Sequence, residues 1–146
     1  MDRFKILATV TILLIKDEQI LLTRRANTGF FDGFYECPSG HIDGKETMKE
    51  AAIRELREEV GVHAEIDELQ VVHVVHRYGN EYERVEFYLI AKRWEGDPAI
   101  KEPDKCDDLK WFPINQFPEN MVPKTKAALE SYLRGEIYSE FDWQKR

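Results

Sequence analysis

Between Thr47 and Gly61 the sequence specifies both ends of a single helix, and the segments on either side of it read as strands. Thr47 and Glu50 form a T-x-x-E capping box, in which hydroxyl and carboxylate each satisfy a backbone N–H that the first turn leaves without a partner. Gly61 stands where a left-handed residue closes a helix, a conformation glycine adopts without a Cβ clash. The helix predicted over 48–60 carries Ala52, Ile53, Leu56 and Val60 on one arc, which must face a core.

Around this helix, residues 5–15 are rich in β-branched and leucine side chains and stop at the polar turn Lys16-Asp17-Glu18. A second strand over 20–23 ends in Arg24-Arg25. Glycines and Pro38 make 26–45 loop-dominated, with one short strand near 34–36. Strands follow at about 67–77 and 83–94, joined by a turn at Gly79-Asn80. A polar loop, 96–107, leads to a short strand over 109–112, and a last helix over about 123–134 begins at Pro123 and stops at Gly135. This order predicts an α/β fold, a mixed central sheet flanked by helices in an α/β/α sandwich. The 146 residues suit one domain. The tail, with Tyr138, Phe141 and Trp143, is too aromatic for a plain solvated end and is expected to cap its own core or a partner subunit, in a monomer or a homodimer.

A formal charge of −7 works against attraction to nucleic acid backbone or to an anionic membrane, so an anionic ligand must be held locally. Cys37 and Cys106 are too few for a metal cage or a disulfide framework and read as two reduced thiols of a cytoplasmic protein. The apolar start lacks a cleavage site and is interrupted by Thr9 and Thr11 with period two, which marks a strand rather than a signal peptide. No apolar run approaches the roughly 18 residues that span a bilayer.

Glu55, Glu58 and Glu59 stand at i, i+3 and i+4 of the predicted helix, within roughly 100° of arc. That arc borders the apolar one, so three carboxylates sit at the rim of the buried face, and Glu46 can approach the same rim. Each close like-charged pair costs about 4 kcal/mol at an effective dielectric near 20 and about 1 kcal/mol in open water. A fold keeps such a cluster where protons, cationic side chains or a metal neutralise it. All-oxygen donors are hard, which selects Mg2+ or Mn2+ over zinc. Arg54 is placed to pair with Glu46 or another carboxylate. A Glu- and Arg-rich helix face is on its own usually a solvated surface; the wider pattern decides otherwise.

Gly40, five residues, Glu46, seven residues, Arg54-Glu55-Leu56, one residue, Glu58-Glu59, one residue, Gly61-Val62 matches the Nudix box at every specified position, and on it the chain resembles the Nudix hydrolases. Thr23-Arg24-Arg25-Ala26, the stretch from Arg93 to Pro98, Lys101-Glu102 and Phe117-Pro118-Glu119-Asn120 look similar to MutT-type nucleotide pyrophosphohydrolases.

The resemblance implies a loop–helix–loop whose Glu55, Glu58 and Glu59 hold divalent cations on a substrate diphosphate, with the carbonyl of Ser39 or Gly40 as a further donor. Arg54 would orient a carboxylate, Glu46 would support the loop, and Gly40 and Gly61 would serve backbone geometry. Water would attack phosphorus while a carboxylate takes its proton, Glu55 or Glu58 within the box, or Glu102 from the later loop, where Asp104, Asp107 and Asp108 also lie. Arg25 is the candidate for a substrate phosphate or base, and Asn120 for the base edge, since an amide both donates and accepts. His41 follows Gly40 and is as much a loop side chain as a phosphate contact.

His73 and His76 lie three apart in a strand and point to opposite faces, so they cannot share an ion. Trp94, Trp111 and Phe112 could stack on a base but, as strand aromatics, read first as core, and Tyr78 and Tyr82 as hairpin surface or as the tyrosine of dinucleoside-polyphosphate-cleaving relatives. No proline lies between Gly61 and Asp97, unlike many ADP-ribose-cleaving relatives. The expected activity is Mg2+-dependent cleavage of a small nucleoside triphosphate to monophosphate and pyrophosphate, in the manner of a nucleotide-pool cleaner. Other nucleoside diphosphate derivatives are the second substrate class. A nucleotide-binding module without turnover is the competing class, disfavoured because such modules lose box glutamates that this chain retains.

Overall fold

Alternation along the first strand decides the layering. In the computed structural model, which describes residues 2–79 and 82–146, β1 (Leu7–Lys16) lies inside an eight-stranded mixed sheet. Successive side chains of a strand leave on opposite sides. Accordingly Val10, Ile12 and Leu14 join one buried cluster and Leu13 another. Helix α1 (Met48–Val60) lays Ala51, Ala52, Leu56 and Val60 on the first face; α2 (Pro123–Leu133) lays Ala128 and Leu129 on the second. The sheet is thus sandwiched between helices, as expected.

Strand β2 (Gln19–Arg25) turns back antiparallel from β1 and pairs along its length with β7 (Cys106–Pro113). On its other side it meets β3 (Tyr35–Glu36), and β4 (Ser39–His41) runs antiparallel to β1 at Thr9–Thr11. The opposite side of β1 pairs in parallel with β6 (Tyr82–Ala91), which is followed by antiparallel β5 (Leu69–Gly79) and parallel β8 (Tyr138–Phe141).

The caps of α1 form as the sequence reading anticipates. Glu50 N donates to Thr47 Oγ1 at 3.1 Å and Thr47 N to Glu50 Oε1 at 2.9 Å, and Gly61 closes the helix at φ 72°. Several expectations change. β4 and β8 are additional strands, β7 begins at Cys106 rather than 109, and residues 66–68 form a short 3-10 turn before β5. β6 ends at Ala91, so Trp94 lies beyond the strand, stacked on Trp111 at 6.3 Å between ring centroids. The turn at Gly79-Asn80 falls on Asn80, outside the described residues. The tail caps its own fold: Phe141 packs on the second cluster, and Trp143 donates its indole N–H to the His76 carbonyl at 2.9 Å. His73 is buried between the Glu136 carbonyl and the Ser139 hydroxyl, each 2.9 Å away. Among the described residues no helix is long and apolar enough to cross a membrane.

Candidate active site

Strand β4 brings Ser39, Gly40 and His41 beside α1, and the fit there is tight. A Cβ on Gly40 would lie 2.1 Å from Glu55 Oε1, so the α-carbon of this glycine is the surface against which the Glu55 carboxylate rests. One turn later, Ser39 N donates to Glu59 Oε2 at 3.1 Å. Arg54 spans the loop and the helix. Its Nε and Nη2 reach the two Glu46 oxygens at 3.2 and 2.8 Å, a bidentate pairing whose geometry favours arginine over lysine. Its Nη1 holds Glu55 Oε1 at 2.8 Å and approaches Glu58 Oε2 at 3.5 Å, while Nη2 also meets the His41 carbonyl at 3.0 Å. Glu46 Oε1 in turn accepts the Asp43 amide at 2.9 Å, closing the loop. Hydrogen bonding to Arg54, and then to Asp43 N, lowers the Glu46 pKa; Glu46 first and Glu55 second hold the Arg54 guanidinium firmly protonated.

Gly40→Ala should therefore leave the core intact, since the overlap is with a carboxylate, but drive Glu55 from its place. Turnover falling by roughly a hundredfold, on the scale of a displaced reacting group, with an unchanged far-ultraviolet spectrum is the expected result. Activity within twofold of wild type would show that the Glu55 position is immaterial.

The loop after β6 is bound to the end of the helix: Ala99 N donates to Val60 O at 3.0 Å and Lys101 N to Glu59 O at 3.2 Å. The Lys101 side chain covers Gly61, where a Cβ would come within 2.4 Å of it. This docking delivers Glu102 to the acidic end of the helix. Burial raises the Glu59 pKa well above the ordinary carboxylate value, and the charges of Glu55 and Glu102 add to the rise against the opposing Ser39 amide. Burial also raises Glu55; Arg54 opposes, and Glu58 and Glu102 reinforce it. Glu58 is the exposed member, its side chain 49% accessible.

Part of this cluster borders a cleft of about 570 Å3, in the range of ligand sites, while Arg54, Glu55 and Glu58 are not among its lining residues. Ser39, Gly40, His41, Glu59 and Glu102 line one part of it. Arg25 lines it too, with Nε on the Phe30 carbonyl at 2.6 Å and Nη2 on Thr28 Oγ1 at 3.1 Å. Asn120 is not among the lining residues: its amide donates to Gly33 O at 2.9 Å and ties two loops together. The cleft also takes in Thr9, Thr11, Glu36, Arg84, Glu86 and Lys124, which the sequence reading does not single out. The one available signal was charge at inward-facing positions of otherwise apolar strands, as at Glu86 between Val85 and Phe87.

The donor set fits a hard divalent cation. Every candidate is a carboxylate or carbonyl oxygen, and burial, with the charge of neighbouring carboxylates added, raises the pKa of both Glu55 and Glu59. Among the described residues no three such side chains are gathered as a cage, and Arg54 Nη1 engages Glu55 Oε1 at 2.8 Å.

Comparison with known proteins places this geometry. The NUDIX domain family pattern matches residues 5–132. An 8-oxo-dGTP diphosphatase of Escherichia coli is 31% identical over 127 residues, covering 84% of this chain and 97% of that one. An RNA pyrophosphohydrolase of Erythrobacter litoralis is 32% identical over 119 residues, covering 70% of this chain and 73% of the relative. Among solved structures, the MutT NUDIX hydrolase from Burkholderia pseudomallei superposes with a TM-score of 0.79 at 27% identity, over 87% of this chain and 98% of its own. Further relatives are an ADP-ribose pyrophosphatase and NAD-capped RNA hydrolases.

Proposed function

The chain belongs to the NUDIX family, hydrolases of phosphorus-containing acid anhydrides that generally use divalent metals, and from that premise we propose that it cleaves a nucleoside triphosphate to a monophosphate and pyrophosphate in the cytoplasm. The observation that carries this reading is the position of Glu59 and Glu102 in the lining of the cleft beside the Ser39–Gly40 wall, with Glu55 packed behind Gly40. Such an arrangement suits a diphosphate carrying Mg2+, for which Mn2+ would substitute. Glu55, Glu58 and Glu59 would hold the cation. When bound, it supplies positive charge against the nonbridging oxygens and acidifies the attacking water.

The protein's own groups do the rest. Arg54 holds Glu55 in one orientation and, through Glu46, keeps the loop before the helix in place. Glu55 takes the proton of the water that attacks phosphorus, a role suited to a carboxylate whose pKa is raised by burial. The bond from phosphorus to the bridging oxygen breaks, and pyrophosphate leaves. Arg25 would meet phosphate or base, a role supported by its place in the cleft lining. The likeness to an 8-oxo-dGTP diphosphatase favours a nucleoside triphosphate and a small substrate over a polymer, in keeping with the net negative chain.

The test is pyrophosphate release across a nucleotide panel with Mg2+, with ADP-ribose as the contrasting substrate. Turnover of triphosphates supports the reading; hydrolysis of ADP-ribose alone would replace it. Glu102→Gln should cost about tenfold in kcat, since Glu102 acts through charge on its neighbours rather than as the base. A loss as deep as that of Glu55→Gln would transfer the proton-accepting role to Glu102.

A further inference from the structure

Among the described residues, five buried side-chain atoms lack a hydrogen-bond partner: Thr9 Oγ1, Arg77 Nη2, Arg84 Nε, Glu86 Oε1 and Tyr88 OH. Register places all five on one face of the sheet. Thr9 pairs with Glu86 across β1 and β6, Arg77 with Arg84 across β5 and β6, and Arg84, Glu86 and Tyr88 alternate along one strand. Buried polar atoms without partners are destabilising and rare, so their concentration on one patch points to function.

Glu86 is the centre of the patch. It is 0% exposed, yet it lines the cleft. Its Oε2 is engaged by Arg77 Nε at 2.9 Å and by Lys124 Nζ at 3.2 Å, while Oε1 has no protein donor. Glu36, in the same cleft, offers the contrast: its Oε1 accepts from Thr125 Oγ1 at 2.6 Å and Cys37 N at 2.9 Å, and its Oε2 lies 3.8 Å from Lys124 Nζ, so both oxygens face partners within the fold. Glu86 is ion-paired on one oxygen and free on the other.

We propose that Glu86 determines which nucleobase the cleft accepts: its free oxygen takes an N–H from an exocyclic amine of the base, and Arg84 Nε donates to the acceptor beside that amine. This rests on the reading of the cleft as a nucleotide pyrophosphohydrolase site. A carboxylate can only accept, and an exocyclic amine offers an N–H with no oxygen beside it on its own atom. The ring N–H of a keto-only base lies next to carbonyl oxygens, whose charge opposes that of Glu86. Lys124 and Arg77 hold the carboxylate fixed, so it cannot turn away from a mismatched edge.

The test compares kcat/KM of the wild-type protein with Mg2+ on matched amino and keto substrates, cytidine against uridine triphosphate and adenosine against inosine triphosphate. The amino member should be favoured by about tenfold or more in the ring class that is turned over, mainly through KM. Glu86→Gln, whose amide both donates and accepts, should bring the ratio to within about threefold of one while the protein still melts cooperatively. Equal rates on both members of each pair, a preference for the keto member, or a preference retained in folded Glu86→Gln would overturn the assignment. So would discrimination that follows ribose against deoxyribose instead of the base. Where Glu86→Gln does not fold, the wild-type ratios decide. If no triphosphate is hydrolysed, the proposed activity falls, and binding of the four corresponding monophosphates without metal reads the base preference separately.

Discussion

Glu58→Gln is expected to lower turnover by roughly a hundred- to a thousandfold, on the scale of removing one preorganised electrostatic partner from a phosphoryl or acyl transfer site, while leaving the melting curve almost unchanged. Glu58 is the half-exposed member of the acidic group, and among the described residues its ion pair is with Arg54 at 3.5 Å. Exposed substitutions of that kind shift stability by no more than about 0.5 kcal/mol. Arg54 keeps its closer partners, Glu46 and Glu55, so the loop and helix stay joined. Steady-state kinetics and a thermal melt on the same preparation check the prediction. A parallel loss of activity and melting temperature would make Glu58 a structural residue, and unimpaired turnover would remove it from the cation site.

The second large effect concerns Glu59. Its pKa in the folded protein is raised above the unfolded value, chiefly by burial and then by the charge of Glu55. The folded state therefore binds the Glu59 proton more tightly, so this group's contribution is fully present below the unfolded pKa and is lost as pH rises through the folded one. The metal-free protein should accordingly gain stability on mild acidification from neutral pH. Further acidification reverses the trend, because Glu46 is shifted the other way by Arg54, and its contribution disappears as pH falls through its lowered pKa. Mg2+ at a hundredfold excess over its Kd would add about 2.7 kcal/mol, roughly 9 °C for a chain of this size. Glu59→Gln keeps an acceptor for Ser39 N but carries no charge. It should raise the metal-free melting temperature at pH 7, flatten the acid-side gain, and abolish both the Mg2+ shift and turnover. A Glu59→Gln protein that still gains about 9 °C with Mg2+ would place the cation elsewhere.

Legibility of the site tracked the distance along the chain over which each interaction acts. Arg54 and Glu46 were readable as partners because one helix and the turn before it set their spacing, and the structure joins them by two hydrogen bonds. Gly61 was readable because a helix that ends in a left-handed residue favours glycine there, and Gly61 takes φ 72°. β4 was not readable: three residues, Ser39–His41, have no periodicity of their own and become a strand only because β1 offers them partners. β8 is the same case, an edge strand recruited by β5. Asn120 shows what spacing alone does not give, an amide whose Nδ2 is tied to Gly33 O and which is not among the residues lining the cleft.

By itself, the order of residues determined the helix with its caps, the alternating apolar faces of the strands and the acidic rim, since hydrogen-bond spacing and side-chain direction are properties of a short stretch of backbone. The tertiary structure alone decided what those elements enclose. Docking of the loop after β6 on the end of α1 brought Glu102 to the acidic group, and the parallel register of β1 with β6 put Glu86 and Thr9 on the floor of one cleft. Contacts between residues far apart in the chain depend on which strands become neighbours and in what register, and that choice is made by burial of the whole core at once.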